Sequence, residues 1–160
     1  LTKLSRELVS KRIPKIEFMP ASESWQSAFD LLNAKPSKPV ESGLKVTIVI
    51  STYRPDETLF TSIKSCLAQS YQNLEILVID DASGNEFDEI LARVAALDSR
   101  VRVLRQSENG GTYRIRNRAL DEATGDLITF QDSDDWMHPS RIELQVADLV
   151  KHKKSVANRV

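Results

Sequence analysis

From Lys45 onward the apolar residues of this chain follow two rhythms that take turns. Val46-Thr47-Ile48-Val49-Ile50 is β-branched and almost continuously apolar, the texture of a strand buried on both faces. Residues 57–70 then place Leu59, Ile63, Cys66 and Leu67 on one face of a helix. Residues 74–79 repeat the buried-strand texture. A helix over 86–97 follows, with Phe87, Ile90, Leu91, Val94 and Leu97 on its inner stripe. Val101-Arg102-Val103-Leu104 is a shorter strand, suited to a sheet edge. Thr112 is placed to cap a helix carrying Ile115, Ala119, Leu120 and Ala123 and stopping at Gly125. Residues 127–130 make a fourth strand and 141–150 a last helix.

Residues 1–44 differ in texture. Lys3, Arg6, Lys11, Arg12 and Lys15 make the start basic, and Trp25, Phe29, Leu31 and Leu32 mark a short amphipathic helix. Lys35-Pro36-Ser37-Lys38-Pro39 reads as a linker, because each proline biases the residue before it away from helix. The expected division is therefore an N-terminal helical extension and linker over 1–44 and a folded domain over 45–160. The extension reads as a tether or a packing element rather than as catalytic machinery.

Strands alternating with helices imply right-handed crossovers and a mainly parallel sheet, whose ligands bind beyond the carboxyl ends of the strands. Three segments should gather there: Ser51-Thr52-Tyr53-Arg54-Pro55, Asp80-Asp81-Ala82-Ser83, and Gln131 with the acidic residues after it. In that last segment, Asp132-Ser133-Asp134-Asp135 puts three carboxylates within four residues. Two carboxylates ~4 Å apart repel by roughly 4 kcal/mol at an effective dielectric of about 20. A divalent cation with oxygen ligands, Mg²⁺ or Mn²⁺, relieves that repulsion and brings phosphate oxygens with it. A solvated loop with helix-capping carboxylates is the structural alternative.

Composition narrows the field. Lys and Arg number 22 against 23 Asp and Glu, which argues against a strongly basic nucleic-acid binder. The one cysteine, Cys66, excludes an intrachain disulfide framework and falls on an apolar helix stripe, as a buried inert thiol would. No apolar run approaches the ~20 residues of a membrane helix. A cytoplasmic location is expected, including the cytoplasmic face of a membrane. Leu1 in place of a methionine leads us to expect a piece of something longer.

Other residues carry weaker signals. The pair Asp80-Asp81 offers a carboxylate suited to accept hydrogen bonds from a base or ribose, and an Asp of the pair could cap the following helix instead. Asn109-Gly110-Gly111 leads into a helix whose backbone N–H groups favour anions. Arg114 and Arg118 share a helix face, and Asn117 stands beside Arg116. Tyr53 is suited equally to stacking on a base and to burial. Trp136 reads as packing, and His138 as a surface residue or a metal ligand. With His138 and His152 the only histidines, no Ser/His/Asp or Cys/His constellation emerges.

Taken in order, Val46 through Tyr53, the SCLAQSY stretch from Ser65, Glu75 through Ser83, Gly111 through Leu120 and Gly125 through Asp135 resemble the family 2 inverting glycosyltransferases. The resemblance covers about residues 45–148. It implies a Rossmann-like GT-A half-fold, four strands in the order 3-2-1-4 sandwiched by helices. By the same resemblance Thr52 and Tyr53 would line a nucleotide pocket, and Asp81 would read a uracil-type base. Asp132-Ser133-Asp134 would be the DxD element, with Asp132 near ribose and diphosphate and Asp134 on Mn²⁺ or Mg²⁺. Arg116-Asn117 would lie near the donor. Ser51 stands where the family often has proline, and Phe130-Gln131 where many members have an apolar pair. The implied partners are a nucleoside-diphosphate-sugar donor, UDP-linked above all, and a saccharide, lipid-linked or protein acceptor. The family's acceptor-binding part and its general base, usually a carboxylate, follow the DxD element. Both are expected downstream of Val160, so no residue here is nominated as the base. Two other readings stay open: a non-catalytic nucleotide-sugar-binding module, and a Mg²⁺-dependent phosphotransfer domain. The latter usually needs a nucleophilic Asp after the first strand, where Ser51 and Thr52 stand.

Overall fold

The structure, a computed structural model, describes residues 14–19, 31–34, 39, 43–152 and 154–158. Two short strands, β1 (Ile16–Phe18) and β2 (Leu32–Ala34), precede the domain. Four longer ones, β3 (Val46–Thr52), β4 (Leu74–Asp80), β5 (Val101–Arg105) and β6 (Leu127–Asp132), form one all-parallel sheet in the order β5-β4-β3-β6. Counted within the sheet this is the expected 3-2-1-4. The central strands β3 and β4 are the continuously apolar ones because both their faces are covered. The edge strands β5 and β6 are only partly buried, which explains their mixed sequences.

Side chains alternate between two cores. Ile48, Ile50, Ile76 and Val78 face a larger core closed by α1 (Thr58–Leu67), α2 (Asp88–Ala95) and α4 (Arg141–Lys151). Val49, Leu77 and Ile79 face a smaller one closed by Ile115 and Ala119 of α3 (Gly111–Glu122). Each fully buried isoleucine contributes about 1.5–3 kcal/mol relative to exposure. Helix α2 is shorter than expected, because its first residues, Asn85–Phe87, form a separate 3-10 turn. Helix α3 ends at Glu122, before Gly125. Gly125 serves packing instead: a Cβ there would lie 2.7 Å from the Thr47 backbone nitrogen.

The extension is more structured than a tether. Its strands β1 and β2 pair antiparallel, with Ile16 opposite Ala34. The helix expected around Trp25 and Phe29 lies outside the described residues, as does most of the Pro-rich linker, and Leu32 is strand rather than helix. At the other end Val160, past which the general base is expected, also lies outside the described residues. No described helix is long and apolar enough to cross a membrane.

Register brings the polar strand ends to one edge of the sheet. Thr52 pairs with Asp80, Ser51 with Asp132, and Asp80 with Arg105. That edge holds the candidate site.

Candidate functional site

Three loops are stitched together at this edge by hydrogen bonds. The Asp81 N–H donates to the Thr52 carbonyl at 2.9 Å, the Arg54 N–H to Ser83 Oγ at 2.7 Å, and Asn109 Nδ2 to the Asp81 carbonyl at 3.2 Å. The two aspartates divide the work. Asp80 is fully buried and structural: it accepts from the Ser83 hydroxyl and from Arg105 Nε at 3.2 Å. Asp81 faces the other way, and its two carboxylate oxygens take the N–H groups of Gly110 and Gly111 at 2.9 and 2.8 Å. Thr112 is therefore not the cap of α3. The cap position is Gly110, and Asp81 supplies the acceptor from across the sheet. The anion expected at this glycine pair is the protein's own carboxylate. A carboxylate offers about four lone-pair sites, so two N–H bonds leave Asp81 able to accept more.

A cavity of about 420 Å³ opens here, lined by Thr52, Tyr53, Asp81, Asn109, Thr112 and Ile115 among others. Tyr53 is 48% exposed, not buried, and the Arg54 guanidinium lies 5.1 Å from its ring centroid. Arg54 and Ala82 both adopt positive φ, 52° and 61°, although neither is glycine. A smaller hollow of about 180 Å³ adjoins through Thr52 and Tyr53 and is bounded by Asp56, Ser133 and Asp134. Thr52 lines both hollows, and its buried hydroxyl has no hydrogen-bond partner among the described residues. A buried hydroxyl left unpaired costs about 1–3 kcal/mol, a cost that a polar atom of a water or a ligand in either hollow would relieve.

The acidic run bridges two anchors on α1. Ser62 Oγ donates to the Asp132 carbonyl at 3.0 Å, and the Met137 N–H donates to Ser65 Oγ at 2.9 Å. Gln69 holds the next stretch through the His138 carbonyl at 2.9 Å and the Ile142 N–H at 3.1 Å, and the Ser70 N–H donates to the Pro139 carbonyl at 2.8 Å. These four side chains, on α1 and just after it, are all buried. Polar residues interleaved with an apolar helix stripe are the signal the sequence holds for them, and resemblance alone brings the SCLAQSY stretch into view there.

Between the anchors, Asp132, Asp134 and Asp135 are exposed. Partial desolvation of its carboxyl, then the charges of Asp132 and Asp134, push the otherwise exposed Asp135 above its ordinary value, while Arg141 pulls it back. Arg141 also donates from Nη1 to Gln131 Oε1 at 3.0 Å, which gives Gln131 a partner at the site's base. Among the described residues, no group of three or more His, Cys, Asp or Glu is arranged to hold a metal. An Mg²⁺-type ion does not require such a cage, since it binds through one or two carboxylates plus phosphate oxygens and water. Asp132 and Asp134 fit that donor set.

The remaining candidates separate. Arg116 stacks over Phe130 at 5.0 Å, two residues before Asp132, and lines neither hollow; nor does Asn117, which is exposed on α3. Arg114 pairs with Glu108 at 2.6 Å, and Arg118 donates to the Arg105 carbonyl at 2.7 Å, so both are turned to structural partners. Cys66 is buried, and that burial pushes its thiol up to about 12. His138 is held by the fold rather than free at the surface. Its Nε2 bonds the Pro14 carbonyl at 2.9 Å, and Trp136 packs edge-on against its ring.

The sequence profile of glycosyl transferase family 2 matches residues 47–160, which is most of the chain. This chain belongs to glycosyl transferase family 2. An uncharacterized glycosyltransferase of Haemophilus influenzae is 39% identical over 101 residues, covering 63% of this chain and 40% of that protein. The Escherichia coli protein WfaP, a UDP-Glc:alpha-D-GlcNAc-diphosphoundecaprenol beta-1,3-glucosyltransferase, is 34% identical over 101 residues, covering 63% of this chain and 39% of its own length. Among solved structures, S. aureus TarS 1-349 in complex with UDP-GlcNAc is similar with TM-score 0.61 and 25% identity, over 69% of this chain and 32% of that one. This family 2 member thus has the GT-A-like arrangement its sequence implies, and it spans about two fifths of the two curated relatives named here.

Proposed function

We propose that this chain holds the donor of a sugar-transfer reaction, a nucleoside-diphosphate sugar, and forms the donor-binding part of an inverting transferase. The observation that carries the reading is the shared lining: Thr52 and Tyr53 border both the cavity of Asp81 and the hollow of Asp134. A base in the first hollow would stack on Tyr53 and donate ring N–H to Asp81, with its diphosphate running toward the acidic run. Asp132, opposite Ser51 in register, would face ribose and diphosphate, and Asp134 would take the cation. A bound Mn²⁺ or Mg²⁺ would neutralise the diphosphate and stabilise charge on the leaving nucleotide. Arg116 and Asn117 would lie on the donor's flank, at the Phe130 side. A UDP-linked sugar is favoured because TarS holds UDP-GlcNAc and WfaP is named for a UDP-Glc donor. The acceptor, a saccharide, lipid-linked or protein hydroxyl, would be met by residues other than these, as would the general base. The same reading divides the chain into an extension over 1–44 and a nucleotide-sugar-binding unit over 45–160.

Calorimetric titration of UDP tests it. Binding should need Mn²⁺ and should weaken at least tenfold in Asp134→Ala. Binding indifferent to both the metal and the substitution would sink the metal role, and no UDP binding at all would sink the nucleotide site.

A further inference from the structure

The ribbon β1–β2 lies outside the family match at 47–160, yet it is seated on the loop that leaves the acidic run. The Pro14 carbonyl can only accept, so the His138 Nε2 beside it at 2.9 Å carries a proton and donates. On the other side of the ring, Nδ1 accepts the Ser140 N–H at 3.2 Å. One neutral tautomer makes both bonds, joining the arm, the loop and the start of α4. Below this junction a hollow of about 330 Å³ is walled by Met19, Leu32 and Ala34 of the arm, Lys64 of α1, and Trp136 and Met137 of the loop. Ala34, only 4% exposed, lines that hollow together with these domain residues.

We propose that the N-terminal arm is a clamp on the acidic loop, and that His138 is its positioning residue. Helix α1 holds Asp132 and Met137 through Ser62 and Ser65. The arm holds the same loop from a second direction, immediately after Trp136 and Met137. Four residues, 133–136, span the gap between the α1 anchors, and they include Asp134. Fixing their exit limits the directions in which Asp134 can point. The consequence for ligand affinity rests on the donor-binding reading above; the clamp itself does not.

Two substitutions dissect the ring. In His138→Asn the side-chain oxygen replaces Nδ1 as acceptor for Ser140 but cannot reach Pro14. In His138→Gln the amide N–H replaces Nε2 as donor to Pro14. Amide hydrogen exchange over residues 133–137 should quicken severalfold in His138→Asn and return toward wild type in His138→Gln. Ala34→Glu, which places a charged side chain at the buried face of the arm, should quicken the same amides. The affinity for UDP with Mn²⁺ should fall about tenfold in His138→Asn and recover in His138→Gln. Unchanged exchange in both His138→Asn and Ala34→Glu overturns the clamp, as does equal loosening in the two His138 variants. If wild type binds UDP and His138→Asn binds it equally well, the positioning role falls. If wild type fails to bind UDP, the donor reading falls, and the exchange data still decide the clamp.

Discussion

Ala82 sits between two working residues in a backbone conformation that suits glycine, with φ at 61°. A non-glycine residue there gives up roughly 1–2 kcal/mol, and glycine in exchange adds unfolded-chain entropy of about 0.4–1 kcal/mol. Ala82→Gly should therefore raise stability by about 0.5–1 kcal/mol in urea unfolding. Glu75 makes the opposite kind of point. It is 3% exposed, and burial alone would push its carboxyl up. Hydrogen bonds from the Thr124 N–H, Thr47, Arg102 and the Thr124 hydroxyl outweigh burial and hold it at about 2 instead of 4.5. Because the folded value is depressed, this stabilisation is fully present above about pH 4.5 and is lost as pH falls toward 2. The difference is on the order of 3 kcal/mol. Thermal unfolding followed from pH 6 to pH 2 should show that drop, and Glu75→Gln should flatten it. Nothing in the sequence hints at this network, since Glu75 reads as an interruption in an apolar strand. Its partners Thr47, Arg102 and Thr124 come from three other segments of the fold.

At the scale of elements, α1 does two jobs with one face. Leu59, Ile63 and Cys66 fill the larger core, Ser62 and Ser65 on adjoining positions grip the acidic loop, and Gln69 just past the helix end holds the stretch that follows it. Gln69→Leu keeps the volume but leaves the buried Ile142 N–H without its acceptor. A loss of about 1–3 kcal/mol is expected in urea unfolding. Helix and strand positions were legible because core burial enforces periods of 3.6 and 2 along the chain. Element ends were less so. Thr112 has the residue type of a cap for α3, but Asp81 from another loop satisfies those N–H groups. Likewise the 3-10 turn at Asn85–Phe87 breaks a helical stripe that is continuous in the sequence.

For the whole molecule, a ligand at this edge would touch loops that follow three different strands and would therefore stabilise the domain as a unit. At a hundredfold excess over Kd, UDP with Mn²⁺ should add about 2.7 kcal/mol, a rise of roughly 5–10 °C in Tm. Scanning calorimetry should show that rise in wild type and its loss in Asp134→Ala or with EDTA.

The alternation of strands and helices, a mainly parallel sheet and the edge that gathers the loops were determined by the sequence pattern itself, whereas the strand order was implied by the family resemblance. The pattern follows from local hydrophobic period and from the handedness of parallel crossovers, which need no knowledge of distant partners. Spacing left open which of two adjacent aspartates faces the cavity; the resemblance implied Asp81, and it is Asp81 that lines the cavity while Asp80 is buried. Only tertiary structure decided the capping of α3 from another loop and the seating of the arm on His138. Those depend on which hydrogen-bonding groups meet across the fold, and sequence spacing carries no record of that.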